Sequence, residues 1–291
     1  MLMARQETSP MRLLTIAAAT LLVPFSFARA DDKPAGTAEI EKERASEALD
    51  LCRRGAREYR LSVDDSGQTE LELKTDPLLR WSNPSVGSIH GVVFIWTDKG
   101  RPAAIASIYK WFEPHTHMAF EVHSLSETPL VGSLENRAVW NSSRAGIEFK
   151  PVERAPVPAE TSAGRLTQMR TMSKDFAVEK TERDDGLQQR MRLLTQPIFR
   201  YQSPTAKISD GAIFAFVQGT DPEVLLLLEA RERGDGPAWH YALARMNSVV
   251  FRVTYQDRDV WKTEALPWSV VFDNRSPYNI LKLDHLSPRK Q

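Results

Sequence analysis

Apolar residues recur along this chain at two spacings, and the switch between them marks its elements. Ala45, Leu49, Cys52, Ala56 and Tyr59 stand at helical spacing among charged residues, which predicts an amphipathic helix. Leu166, Met169, Ser173 and Phe176 repeat the pattern, with Thr161 or Ser162 placed to cap that second helix. Short runs of strand character follow each helix. Residues 70–74 alternate polar and apolar, and runs at 78–82, 91–97, 103–112, 117–126 and 137–141 come next, with a weaker one at 147–150. Asp98 to Pro102 and Gln218 to Pro222 carry turn residues between such runs, predicting two hairpins. Connections this short favour antiparallel pairing, because parallel neighbours need a long crossover. Val92–Trp96 and Val224–Leu228 are apolar at every position, which predicts central strands covered on both faces.

The two hairpins are related by more than type. Residues 71–102 align without a gap onto residues 191–222, and eight of the 32 positions are identical. The identities include Pro77/Pro197, Arg80/Arg200, Pro84/Pro204, Gly91/Gly211 and Pro102/Pro222, while Trp81 faces Tyr201. Three prolines, a glycine and an arginine in one register point to an internal repeat. The expected fold is α+β: two tandem copies of a helix followed by a curved antiparallel meander of about five to seven strands. In that scheme residues 31–38 are a flexible N-terminus and 39–150 the first repeat. Residues 151–162 form a Pro-rich linker, 163–275 the second repeat and 276–291 a C-terminal tail.

The N-terminus gives an address. Arg5 and Arg12 precede an apolar run from Leu13 to Phe27, and Ala28-Arg29-Ala30 closes it with small residues. This is the form of a cleaved signal peptide, residues 1–30, cut after Ala30, with translation starting at Met1 or Met11. The expectation is export to the periplasm or the extracellular space, with no membrane span after the signal is removed. Cleavage leaves 35 basic and 37 acidic residues, a net charge of −2, so no basic field exists to attract nucleic acid. A single cysteine, Cys52, excludes an intramolecular disulfide and any multi-cysteine metal site; it sits on the helix stripe as a core thiol.

Candidate chemistry is sparse. His115, His117, Glu121 and His123 carry the donor types of an iron, manganese or zinc site, so a divalent metal is the cofactor they would hold. Their H-x-H-x3-E spacing resembles the first motif of the cupin family, but Tyr109 and Thr128 stand where that family has glycine. In a straight strand His117 and Glu121 would lie ~13 Å apart, so a metal needs a bend or ligands from other strands. Sequence comparison of the halves sets His117 against His240, and Glu121 and His123 against Ala244 and Met246. Arg80 and Arg200, each inside apolar sequence, call for a salt bridge or an anionic ligand. With His90 they make the candidate ligand-binding set. No P-loop, dinucleotide fingerprint, nucleophile elbow or H-E-x-x-H motif is present.

At Leu78–Pro84, Gly100–Trp111, Gly219–Arg231 and Ala242–Ser248 the chain resembles a family of exported bacterial proteins of unknown function. That resemblance implies export and no particular activity. As architecture, a helix with a curved antiparallel sheet is similar to cystatin-like, NTF2-like and lipoprotein-carrier folds, which host binders, carriers and enzymes alike. Two functional expectations follow. The first is an exported non-catalytic binding or interaction protein whose partner is a small molecule, a lipid or another protein. The second is a metal-dependent enzyme, hydrolytic or oxidative, with its His/Glu site in the first repeat.

Overall fold

A computed structural model describes residues 35–63, 69–234 and 236–286. The signal-peptide segment lies outside the described residues. The first half runs α1 (Ala35–Glu58), β1 (Tyr59–Ser62), β2 (Glu72–Ser82), β3 (Ser88–Asp98), β4 (Arg101–Glu113), β5 (Met118–Ser124), β6 (Val131–Leu134), β7 (Arg137–Asn141) and β8 (Lys150–Pro151). The second half opens with α2 (Ser162–Lys174), β9 (Phe176–Thr181), β10 (Gln188–Arg190), β11 (Arg192–Leu193) and β12 (Phe199–Ser203). It continues through β13 (Ile208–Gln218), β14 (Asp221–Arg233), β15 (Gly236–Arg245), β16 (Val250–Tyr255) and β17 (Arg258–Thr263), then α3 (Trp268–Val271) and β18 (Tyr278–Lys282). Thr161 caps α2 by accepting a hydrogen bond from the Gly164 amide.

The expected α+β fold of two helix-plus-meander copies is overturned. The chain is mostly β, 51% in strands and 18% helical, with four sheets and three helices among the described residues. The reason lies in pairing that no local pattern encodes. β1 does not join the strands that follow it; it pairs with β6, which pairs with β7. In the second half β9 pairs with β10 and β16, and β16 with β17. Each run of successive strands is therefore shared between a small sheet and a large one.

The large sheets have the orders β18-β5-β4-β3-β2 and β11-β13-β14-β15-β8, with β12 also on β13. They stack face to face. Val93, Ile95 and Ile105 meet Ile213, Ala215, Leu225 and Leu227 in one shared core. Their alternate neighbours point away: Phe94, Ala106, Ile108 and Phe120 pack under Leu51, Cys52 and Ala56 of α1 and Leu61 and Trp140 of the first small sheet. Phe214, Phe216, Leu226 and Leu228 do the same beneath α2 and the second small sheet. Side chains alternate along a strand, so covering both faces demands apolar residues at every position. Fully burying each large side chain contributes roughly 1.5–3 kcal/mol, and three cores divide that gain.

Two features tie the halves together. β8, which ends the first half, pairs with β15 of the second, and β18, which ends the second half, pairs with β5 of the first. The stretches expected as linker edge and tail thus supply edge strands across the seam. Within each half an aromatic ring lies over a cross-strand glycine. A Cβ on Gly91 would come within 2.1 Å of the Trp81 indole, and one on Gly211 within 2.6 Å of the Tyr201 ring. That is the physical reason why glycine and aromatic recur in the same register.

Candidate functional site

The seam between the large sheets opens at one end into a cavity of about 560 Å³. Trp81, Ile89, Tyr109 and Trp111 come to it from β2, β3 and β4, and Trp268 from α3. β5 delivers Glu121, β14 delivers Asp221 and Glu223, β9 delivers Lys180, and β18 delivers Tyr278. Six carboxyl groups line it (Glu121, Glu182, Asp184, Asp185, Asp221 and Glu223) against two cations, Lys180 and Arg183. The imbalance makes the cavity acidic.

Its floor is a network of buried ionisable groups. Tyr278 Oη donates to Glu121 Oε1 at 2.5 Å. Burial pushes the Glu121 carboxyl up to about 8; the Tyr278 hydrogen bond opposes this rise, and the nearby Glu223 adds to it. Asp221 is raised well above the usual carboxylate range by burial and by Glu223 and Glu121, and Glu223 is raised chiefly by burial. Lys180 Nζ donates to Glu223 Oε1 at 2.6 Å and to Gln218 Oε1 at 2.8 Å, and lies 3.0 Å from Glu182. Arg183 is spent on the wall: it donates to the Ser248 and Leu266 carbonyls and stands 5.1 Å above the Trp268 ring. One lysine therefore balances three deeply set carboxyls. The proton held on Glu121 relieves part of that surplus.

The sequence-derived candidates scatter. Glu121 and His123 lie on the buried, seam-facing side of β5, while His115 and His117 are exposed in the loop after β4 with ring centroids 5.7 Å apart. Among the described residues no group of three or more His, Cys, Asp or Glu is placed to hold a metal ion. His123 faces the Ser124 carbonyl with Nδ1 at 2.8 Å, and burial pushes its imidazole down to about 4. His90 binds Glu41 of α1 at 3.0 Å, where Ser88 and Arg44 also bond, so it clamps helix to sheet. Arg200 pairs with the fully buried Asp210 through two hydrogen bonds and with Ser162, whereas its counterpart Arg80 is exposed.

Strand pairing also corrects the comparison of β5 with β15. Ile105 pairs with His123 and Leu225 with Ala244, so His123 corresponds to Ala244 and Glu121 to Ala242. The sequence register slipped by two residues, which preserves which face each side chain occupies. The residues that sequence reasoning missed are Lys180, Asp221, Glu223 and Tyr278. Lys180 carried a usable signal. It follows Phe176 and Val178 on the inward face of β9, where a lysine needs a buried partner.

No protein-family model matches the chain, and no curated protein or solved structure matches it.

Proposed function

We propose that this chain is an exported, non-catalytic binding protein that takes a small organic cation into the cavity between its large sheets. The observation that carries the reading is the surplus of carboxyls, six against two cations, in a half-enclosed chamber walled by Trp81, Trp111 and Trp268. Aromatic faces and carboxylates together suit an amine, through cation–π attraction and charge-assisted hydrogen bonds. A volume of about 560 Å³ falls within the ordinary range for small-molecule pockets. Export rests on the apolar run from Leu13 to Phe27 and the small residues Ala28 and Ala30.

The raised carboxyls add a signature. With Glu121 pushed up to about 8, the empty site holds a proton at neutral pH that a bound cation would expel. Isothermal titration of residues 31–291 with 2-phenylethylamine, against its neutral analogue 2-phenylethanol, tests this. The amine is expected to bind at least about tenfold more tightly than the alcohol. Its affinity should rise between about pH 6 and about pH 8.5 with proton release, and Glu121→Gln should lower that release by the share Glu121 contributes. Equal affinities for amine and alcohol, or no binding of either at about 10 mM, would overturn the reading.

A further inference from the structure

Tyr278 has a second side. Beyond it lies another cavity, of about 370 Å³, between the edge of the first large sheet and the second small sheet. Its charge is the reverse of the first. Arg144, Lys150 and Arg245 line it with His123, and Glu148 is the one carboxyl among its lining residues. Tyr241 and Trp261 give it aromatic walls.

Arg245 is the unusual member. It is 6% exposed, yet it forms no ion pair among the described residues. Nη2 donates to the Val249 carbonyl at 2.7 Å, Thr263 Oγ1 at 2.6 Å and the Glu264 carbonyl at 3.0 Å, all neutral oxygens. Nε is buried with no hydrogen-bond partner among the described residues. Other inward cations of this fold are matched differently. Lys180 meets Glu223, Arg101 and Arg231 meet Glu229, and Arg165 and Arg200 meet Asp210. Glu121 attracts Arg245 at longer range, but its Oε1 accepts from Tyr278 Oη and it forms no ion pair with the arginine among the described residues. A buried guanidinium without an ion pair is costly, and burial pushes Arg245 down to about 10 against the opposing pull of Tyr278 and Glu121.

We infer that this second cavity is a binding site for a small organic anion, carboxylate- or phosphate-headed, with Arg245 as the counter-charge at its base and Arg144 and Lys150 at its mouth. The planar fork of arginine suits an oxyanion, and the two exposed cations steer one inward. The aromatic walls take the apolar remainder of the ligand. Tyr278 is the one residue that lines both cavities, and the two ligands are held by different charged groups, so either proposal can fail alone.

Titration calorimetry with benzoate, phenyl phosphate and inorganic phosphate tests it, with 2-phenylethylamine as a control at the other cavity. Benzoate or phenyl phosphate is expected to bind, and which is tighter identifies the headgroup; inorganic phosphate, lacking the ring, should bind more weakly than phenyl phosphate. Arg245→Lys keeps the charge but loses the fork, and should weaken the better anion by about tenfold or more. Because Arg245 also ties the Val249 carbonyl, just before β16, to Thr263 of β17, the double variant Arg144→Ala/Lys150→Ala provides a surface test that leaves the core untouched. It should weaken the anion several-fold and flatten the salt dependence, with 2-phenylethylamine affinity unchanged if the amine site exists. No binding of benzoate or phenyl phosphate at about 10 mM would overturn the inference. So would binding that neither variant weakens.

Discussion

The two ends of the seam between the large sheets occupy matching places in the chain and treat charge in opposite ways. A displacement of 120 residues, the one that aligns the halves, carries Arg101 onto Asp221 and Tyr109 onto Glu229. At one end Arg101 and Arg231 bond Glu229 at 3.2 and 2.6 Å, Tyr201 Oη donates to the same carboxylate at 2.7 Å, and Glu127 bonds both arginines. Phe149 fills the space beside them, its ring 3.7 Å from the Arg231 guanidinium. At the other end Asp221 meets Tyr109, Glu121 and Glu223, with Lys180 as the cation bonded within that group, around an open chamber. The first end spends its charges on itself. The second keeps a surplus, and a surplus held in a cavity is what a ligand can neutralise. Equivalent backbone positions thus serve closure in one place and recognition in the other.

The sharpest way to break this contrast is Glu229→Leu. It leaves Arg101 and Arg231 short of a buried partner, and stability in urea is expected to fall by about 3–5 kcal/mol. A loss below about 1 kcal/mol would mean that the closed end does not depend on its charge match.

A second test reverses the sign at the open end. Glu121 carries a folded-state value of about 8 against an ordinary 4.5, so the native state binds the extra proton. Stability from this group is fully present below the unfolded value and is lost as pH climbs through the folded one. Glu121→Gln retains an acceptor for Tyr278 but cannot ionise. The variant should gain on the native protein progressively between about pH 4.5 and about pH 8, reaching a difference on the order of a few kcal/mol. A pH-independent difference in melting temperature would show that Glu121 is not the group titrating there.

The smallest effects compare the arginine pair. Arg200→Ala removes two of the bonds to the buried Asp210, leaving Arg165 to hold it, and should cost about 1–2 kcal/mol. Arg80→Ala, at an exposed position, should stay within about 0.5 kcal/mol. Equal costs would mean that the two arginines do the same job after all.

Much of this molecule was legible locally. The hairpin at 98–102 turns through Lys99 and Gly100, both at positive φ, as its composition promised. Thr161 caps its helix, Cys52 is a buried thiol bonded to the Ile108 carbonyl, and Val92–Trp96 is covered on both faces. Alternation along β5 also placed Glu121 and His123 on the same face, opposite Phe120 and Val122. These features depend on neighbours within a turn or a few strand residues, where backbone sterics and side-chain alternation dominate.

What the chain could not disclose by itself is which distant strands meet. Nothing near Tyr59 announces that β1 leaves the meander for β6, so helix-plus-meander was a fair local reading and the wrong architecture. Nothing near Tyr278 announces that it crosses 157 residues to reach Glu121. The acidic chamber exists because two sheets stack and bring β5, β9, β14 and β18 to one end, and the unmatched Arg245 exists because β15, β16 and β17 enclose it. Sequence periodicity decided which side chains face inward. Tertiary packing decided which charges they find there, because strand pairing and sheet stacking are chosen by total burial across the whole chain.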